Sequence, residues 1–265
     1  MTRNRVGILG VPIDVLHPEE ILTSIDRAVA TATPSVYAYT NIHTINMAYR
    51  HPGLQTFLNS AELNILDGKG VQLGGWLLGV RTGPALGITR LIWDILAHCE
   101  QNGLGIFLLG STEETLSTAI RNLQARFPRL HIAGRHHGYF HEDRDGSTRV
   151  IREISVVRPA IVFVGFGTPL QEEWVANNRT SLAAPVTMLV GGCIEIIAGK
   201  LHAAPVWVVR IGLEWLYRLL QEPQRLWRRY VIGIPLFFGR ITIERIRGAL
   251  HIPSIRPESA HNAAE

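Results

Sequence analysis

Apolar residues cluster in short runs that end in glycine or a polar turn, and each run leads into a stretch with helical spacing. The runs at 6–9, 35–40, 63–66, 105–109, 131–133, 161–165 and 186–190 are too short and too continuous for helices, so they predict buried strands. Between them, residues 18–32, 45–50, 52–60, 70–78, 88–101, 113–126, 147–157, 170–179 and 193–198 carry helical patterns. This strand–helix alternation predicts an α/β fold: a Rossmann-like, mainly parallel open sheet with flanking helices and ligands beyond the carboxyl ends of the strands.

The texture changes after Ala204. Trp207, Trp215, Tyr217, Trp227 and Tyr230 stand among arginines and leucines, interrupted by Pro205 and Pro223. The expected organisation is a catalytic body at 1–203, a basic, aromatic helical appendage at 204–252 and a disordered tail at 253–265. Proline lacks an N–H and crowds the preceding turn, so one helix should end near Glu222 and the next begin with Pro223.

Composition narrows the function. The chain has 265 residues, 46% of them hydrophobic, enough for a sizeable core and against a disordered or fibrous protein. Cys99 and Cys193 lack CxxC or metal-type spacing and read as buried thiols. The beginning of the chain does not resemble a signal peptide, and no apolar run reaches the roughly 20 residues needed to span a bilayer, so a cytoplasmic location is expected. The net charge of +4 understates a basic last quarter, where Arg210, Arg218, Arg225, Arg228, Arg229, Arg240, Arg245 and Arg247 face only Glu214, Glu222 and Glu244. Such a region attracts anionic lipid or pyrophosphate. No nucleic-acid-binding motif accompanies it, and no GxGxxG followed by a distant acid supports a dehydrogenase.

Several positions carry candidate chemistry. The run ending at Leu66 delivers Asp67 to a strand end before Gly68; this is either an Asp-Gly turn or a carboxylate aimed into the crevice as a general base. Gly110, Gly165 with Gly167, and Gly191 with Gly192 each follow an apolar run, and their free N–H groups suit a phosphate or sugar hydroxyl, although tight strand-to-helix turns need glycine anyway. Asp143-Arg144-Asp145 has the form of a DxD metal motif but sits in a charged loop, and His136-His137 lack helical metal spacing; no metal site and no cofactor is expected.

Four stretches, NSAELNILDGKGV, GIFLLGSTEE, FVGFGTPLQEEW and GLEWLYRLLQEPQRLWRRY, resemble the WecG/TagA/CpsF glycosyltransferases (glycosyltransferase family 26), the last most specifically. The resemblance implies a metal-independent, inverting transfer of a sugar from a UDP donor to an undecaprenyl-diphosphate-linked saccharide in exopolysaccharide, capsule or teichoic acid synthesis. It implies partners in that donor, that acceptor and the inner face of the cytoplasmic membrane, with a homo-oligomer expected. Asp67 matches the family's base and Asn41 its polar neighbour. Tyr39, Thr40, His43, the glycine turns, Gln171, Glu172 and Glu195 fall where substrate is bound, and Arg218, Arg225 and Arg228 or Arg229 match arginines thought to close over the donor pyrophosphate.

The chain also departs from that pattern. Tyr39 stands where members often have Thr, Ile194-Glu195 replaces an aromatic-Asp pair, and Thr89 stands at an often acidic position, with the usual arginine near 84 missing and Arg81 out of register. These departures leave one alternative: a membrane-associated nucleotide-sugar-binding scaffold impaired in catalysis.

Overall fold

A computed structural model describes residues 4–140 and 145–249. The tail expected to be disordered, and Asp143 and Arg144 of the DxD pattern, lie outside the described residues. Asp145 directly precedes a helix.

Strands β1 (Arg5–Ile8), β2 (Val11–Asp14), β3 (Ser35–Thr40), β4 (Leu63–Leu66), β5 (Ile106–Gly110), β6 (Ile132–His136), β7 (Ile161–Gly165) and β8 (Val186–Leu189) form one sheet in the order β1-β2-β4-β3-β8-β7-β5-β6. All pairings are parallel except the β1–β2 hairpin. Strands β3, β4, β5, β7 and β8 are buried along their whole length, as helices on a parallel sheet require, so their sequences run apolar without alternation. β2 was not expected. Pro12 within its four residues offers no ladder N–H and hides it from pattern reading, and Leu9-Gly10 turns the hairpin with both residues at positive φ.

Helices α1 (Pro18–Thr31), α2 (Ile42–Ala48), α3 (Pro52–Ser60), α4 (Lys69–Leu77), α5 (Ile88–Asn102), α6 (Glu113–Arg126), α7 (Gly146–Val157), α8 (Leu170–Asn178) and α9 (Cys193–Ile197) flank the sheet. Their starts carry local signals. Pro18 occupies the first turn of α1, where the His17 N–H donates to Glu20 (2.7 Å), and the Thr112 hydroxyl accepts from the Thr115 N–H to cap α6. α2 begins three residues earlier than expected because the Asn41 side chain accepts from the Thr44 N–H at 3.1 Å and caps it. Both cysteines are buried thiols, and burial pushes the Cys99 thiol up to about 12.

Beyond residue 204 come α10 (Val206–Arg210), α11 (Glu214–Gln221), α12 (Pro223–Trp227), a π-helical turn (Arg228–Ile232) and α13 (Gly233–Ala249). α11 stops and α12 starts at Pro223, where the missing N–H requires it. α13 lies across α2 and α4 and ties the appendage to the body. Phe237 is 0% exposed and fills the groove opened by Gly74, where an added Cβ would come within 2.6 Å of its ring. The Asn46 amide donates to the Gly233 carbonyl (2.7 Å) and accepts from Arg240 (2.7 Å). The apolar stretch 230–238 is therefore divided: Phe237 and Phe238 pack inward, while Val231 and Ile232 are exposed. Among the described residues, no helix is long and apolar enough to cross a membrane.

Candidate active site

Three glycine turns stand side by side at the carboxyl ends of β5, β7 and β8. A Cβ on Gly110 would lie 2.4 Å from the Gly165 carbonyl oxygen, one on Gly165 2.7 Å from the Gly191 carbonyl oxygen, and one on Gly191 2.3 Å from the Tyr39 hydroxyl. Backbone thus packs on backbone across three strands, which any larger residue would force apart. Gly167 adds a positive φ at the turn into α8.

On the other side of this row, β3 and β4 end together. The Asp67 N–H donates to the Thr40 carbonyl (2.9 Å), which sets Asp67 beside Asn41. Asp67 is half-buried and accepts two long hydrogen bonds, from the Asn41 amide at 3.4 Å and the Ile88 N–H at 3.3 Å. Tyr39 is buried; burial and then the Glu172 carboxyl hold its phenol well above the usual range, so it stays protonated. Burial, helped by Arg229, lowers His43 to about 4, which keeps its ring neutral at physiological pH.

Gln171 and Glu172 open α8 and lock its turn to the next. The Gly191 N–H donates to the Gln171 side-chain oxygen (3.1 Å), while the Gln171 amide and Thr168 hydroxyl donate to Glu172 Oε1 (3.0 and 2.9 Å). Burial raises the Glu172 carboxyl above the ordinary range. Its Oε2, Glu195 Oε2, Thr40 Oγ1 and Arg229 Nε are buried without a hydrogen-bond partner. Unmatched buried polar atoms are costly unless a ligand completes them, and these acceptors with one cationic donor suit a hydroxyl-rich anionic ligand.

The appendage reaches the same place. Arg218 lies close enough to Gly192 for an added Cβ there to meet its guanidinium at 3.5 Å. Burial opposes the Arg218 charge, but Tyr230, Asp67 and Tyr39 around it raise its pKa overall. Arg229 borders Tyr39 and His43, with its guanidinium over the Tyr230 ring at 5.5 Å. The sequence spacing would set Arg218, Arg225 and Arg229 on one side of a helix, but the break at Pro223 and the π turn change the register. Arg225 pairs with Glu222 and is exposed, and Arg228 is exposed over the Trp227 ring, so of these four arginines Arg218 and Arg229 join the cleft.

Glu214 is the residue that sequence reasoning missed. It counted only as a scarce counter-charge, yet it lies four residues before Arg218 on α11, on the same face, and accepts from the Thr89 hydroxyl at 3.4 Å. The His136 and His137 rings, by contrast, lie tilted 4.6 Å apart at the end of β6, and His136 meets Phe140 edge-on. Among the described residues, no cluster of three or more His, Cys, Asp or Glu is arranged to hold a metal ion.

Residues 6–250 match the profile of the Glycosyl transferase WecG/TagA/CpsF family. The chain belongs to this family of glycosyltransferases. It is similar to N-acetylglucosaminyldiphosphoundecaprenol N-acetyl-beta-D-mannosaminyltransferases of Staphylococcus aureus strains MW2, NCTC 8325 and MRSA252, with 31% identity to each over 89% of this chain and 92% of theirs. The WecG/TagA/CpsF match extends from the sheet through the arginine-bearing appendage, the two parts that meet at Asp67.

Proposed function

We propose that this chain transfers a sugar from a UDP-sugar to a diphosphoundecaprenol-linked N-acetylglucosamine in cell-envelope polymer synthesis, inverting the anomeric centre and without a metal. The observation that carries the reading is Asp67, a carboxylate at a strand end with neutral hydrogen-bond donors, in a cleft that Arg218 of the appendage enters.

In this mechanism the acceptor hydroxyl attacks the anomeric carbon as the bond to the donor diphosphate breaks. Asp67 takes the hydroxyl proton, and UDP leaves with the electron pair. Arg218, Arg229 and glycine-turn N–H groups other than that of Gly191 stabilise the charge that grows on the departing diphosphate. Tyr39, Thr40, His43, Glu172 and Glu195 surround the sugar, with the unpaired oxygens of Glu172 and Glu195 accepting from its hydroxyl or amide groups. The similar staphylococcal proteins are named for a β-linked product, and an α-linked nucleotide sugar reaches a β product by a single displacement.

A lipid-linked acceptor calls for membrane contact. Val206, Trp207, Ile211, Leu220, Trp227, Val231 and Ile232 are exposed on the appendage among its arginines, the mixture that suits the headgroup boundary of an anionic inner leaflet.

The test is UDP release from a panel of UDP-sugars with a short-chain lipid-diphosphate N-acetylglucosamine acceptor, with and without chelator. Acceptor-dependent release that survives chelation supports the reading. UDP binding without release under any donor contradicts it and favours a scaffold.

A further inference from the structure

Helix α4 is built inside out. It starts two residues after Asp67, and the face it turns inward carries its smallest residues. A Cβ on Gly74 would meet the Phe237 ring at 2.6 Å, and one on Gly75 would meet the Thr82 side chain at 2.6 Å and Ile8 at 3.2 Å. Its largest apolar residues face outward instead: Leu73 is 48% exposed, Trp76 71% and Leu77 37%. A helix packed for stability alone buries its large apolar side chains and leaves polar ones in water. Lys69, Leu73 and then Trp76 with Leu77 follow one another at helical spacing, so they form one outward stripe with a cation at the cleft end. No acidic residue lies on α4, and past its other end a Cβ on Gly79 would lie 3.7 Å from the Arg245 guanidinium.

Lys69 joins this stripe to the appendage. Its stem lies against Gly212, where an added Cβ would be 3.7 Å from the lysine Cδ, and its ammonium donates to the Arg210 carbonyl at 2.5 Å. Among the described residues that is its one hydrogen bond, so two of its three N–H groups remain for a ligand. Ile211, between these two contacts, is exposed, and the apolar surface of the appendage continues here onto α4.

We propose that the outward face of α4 is the track on which the isoprenoid chain of the acceptor lies, with Lys69 on the acceptor diphosphate. The inference rests on the transfer to a lipid-diphosphate acceptor proposed above. The hydroxyl that Asp67 deprotonates and the diphosphate stand on opposite sides of one N-acetylglucosamine ring. A cation on the same loop as the base meets the diphosphate while the hydroxyl reaches Asp67, and the chain leaving that diphosphate has Leu73, Trp76 and Leu77 ahead of it. Nine helical residues provide about 13 Å of track. Charge complementarity singles out this occupant, because an anion at one end of an apolar chain matches a cation at one end of an apolar stripe.

The experiment compares two acceptors, N-acetylglucosamine diphosphate carrying a farnesyl chain or a methyl group, each below its aggregation concentration and without vesicles. Its readout is the ratio of their kcat/KM values for UDP release. The wild type should favour the farnesyl acceptor about 30-fold, and Leu73→Ser with Trp76→Ser should cut that preference about tenfold. Lys69→Met should lower kcat/KM for both acceptors about tenfold and leave their ratio in place. Val156→Ser removes an apolar side chain that is 76% exposed at the far end of α7, and it should keep the wild-type ratio. A wild type indifferent to the chain, a preference that survives the double substitution, or an unchanged Lys69→Met overturns the proposal. A double variant that keeps the preference but loses binding to phosphatidylglycerol vesicles assigns the face to the bilayer; one that keeps it but changes its sedimentation assigns the face to a second copy. A wild type inactive with every donor and both acceptors overturns the transfer reading itself, whereas an active wild type without the chain preference overturns this inference alone.

Discussion

The strand Leu63–Leu66 has acidic residues at both ends, held in opposite ways. At its start, Glu62 receives the Arg179 guanidinium at 2.6 Å and the Val36 N–H, and the nearby Asp14 receives Arg5 through two bonds of 2.9 and 2.8 Å and the Asn64 N–H at 2.7 Å. At its end, among the described residues, Asp67 has only two neutral donors beyond 3.2 Å and no cation within ion-pair distance. Short charge-assisted bonds fix a carboxylate in place as part of the fold. Long bonds from neutral donors orient it and leave its oxygens able to take a proton. Among the described residues, Thr40, whose carbonyl receives the Asp67 N–H, also has a buried side-chain oxygen without a hydrogen-bond partner.

Substitutions at the two ends should therefore affect different properties. The largest effect expected is on stability: Asp14→Asn breaks a buried pair and leaves Arg5 uncompensated, costing about 3 kcal/mol or more in urea unfolding, while UDP affinity stays unchanged. Acid should act at the other end. His43 has a folded pKa of about 4 against an ordinary 6.5, so the unfolded chain binds the extra proton first, and stability present above pH 6.5 is lost as pH falls towards 4. The loss should reach about 3 kcal/mol, and His43→Gln should flatten that part of the stability profile. Arg218→Ala should lower kcat/KM for UDP release about 100-fold, close to 2.7 kcal/mol of transition-state stabilisation, without a matching loss of fold stability. Smallest is Arg179→Ala, whose partly exposed pair with Glu62 should contribute about 1 kcal/mol to stability and nothing to turnover.

The strand end that carries Asp67 was legible because a buried parallel strand must run apolar and then stop at a polar residue in the crevice. The glycine turns were legible as turns; that Gly110, Gly165 and Gly191 abut one another was not, because neighbours in the sheet come from distant parts of the chain. Pro12 concealed β2, and Pro223 with the π turn altered the arginine register beyond what spacing alone shows. Phe237 is apolar like the exposed Val231 and Ile232, and its burial follows from Gly74 opening a groove 163 positions earlier in the chain. Glu214 was passed over because its neighbours Thr89 and Asp67 are joined to it by packing alone.

The most direct test of the account is the turnover of Asp67→Asn beside Glu62→Gln, with UDP affinity measured on both. Loss of about 10²- to 10⁴-fold in kcat for Asp67→Asn, with UDP binding kept and Glu62→Gln still turning over, is the result predicted. An Asp67→Asn protein that releases UDP at the wild-type rate would contradict it.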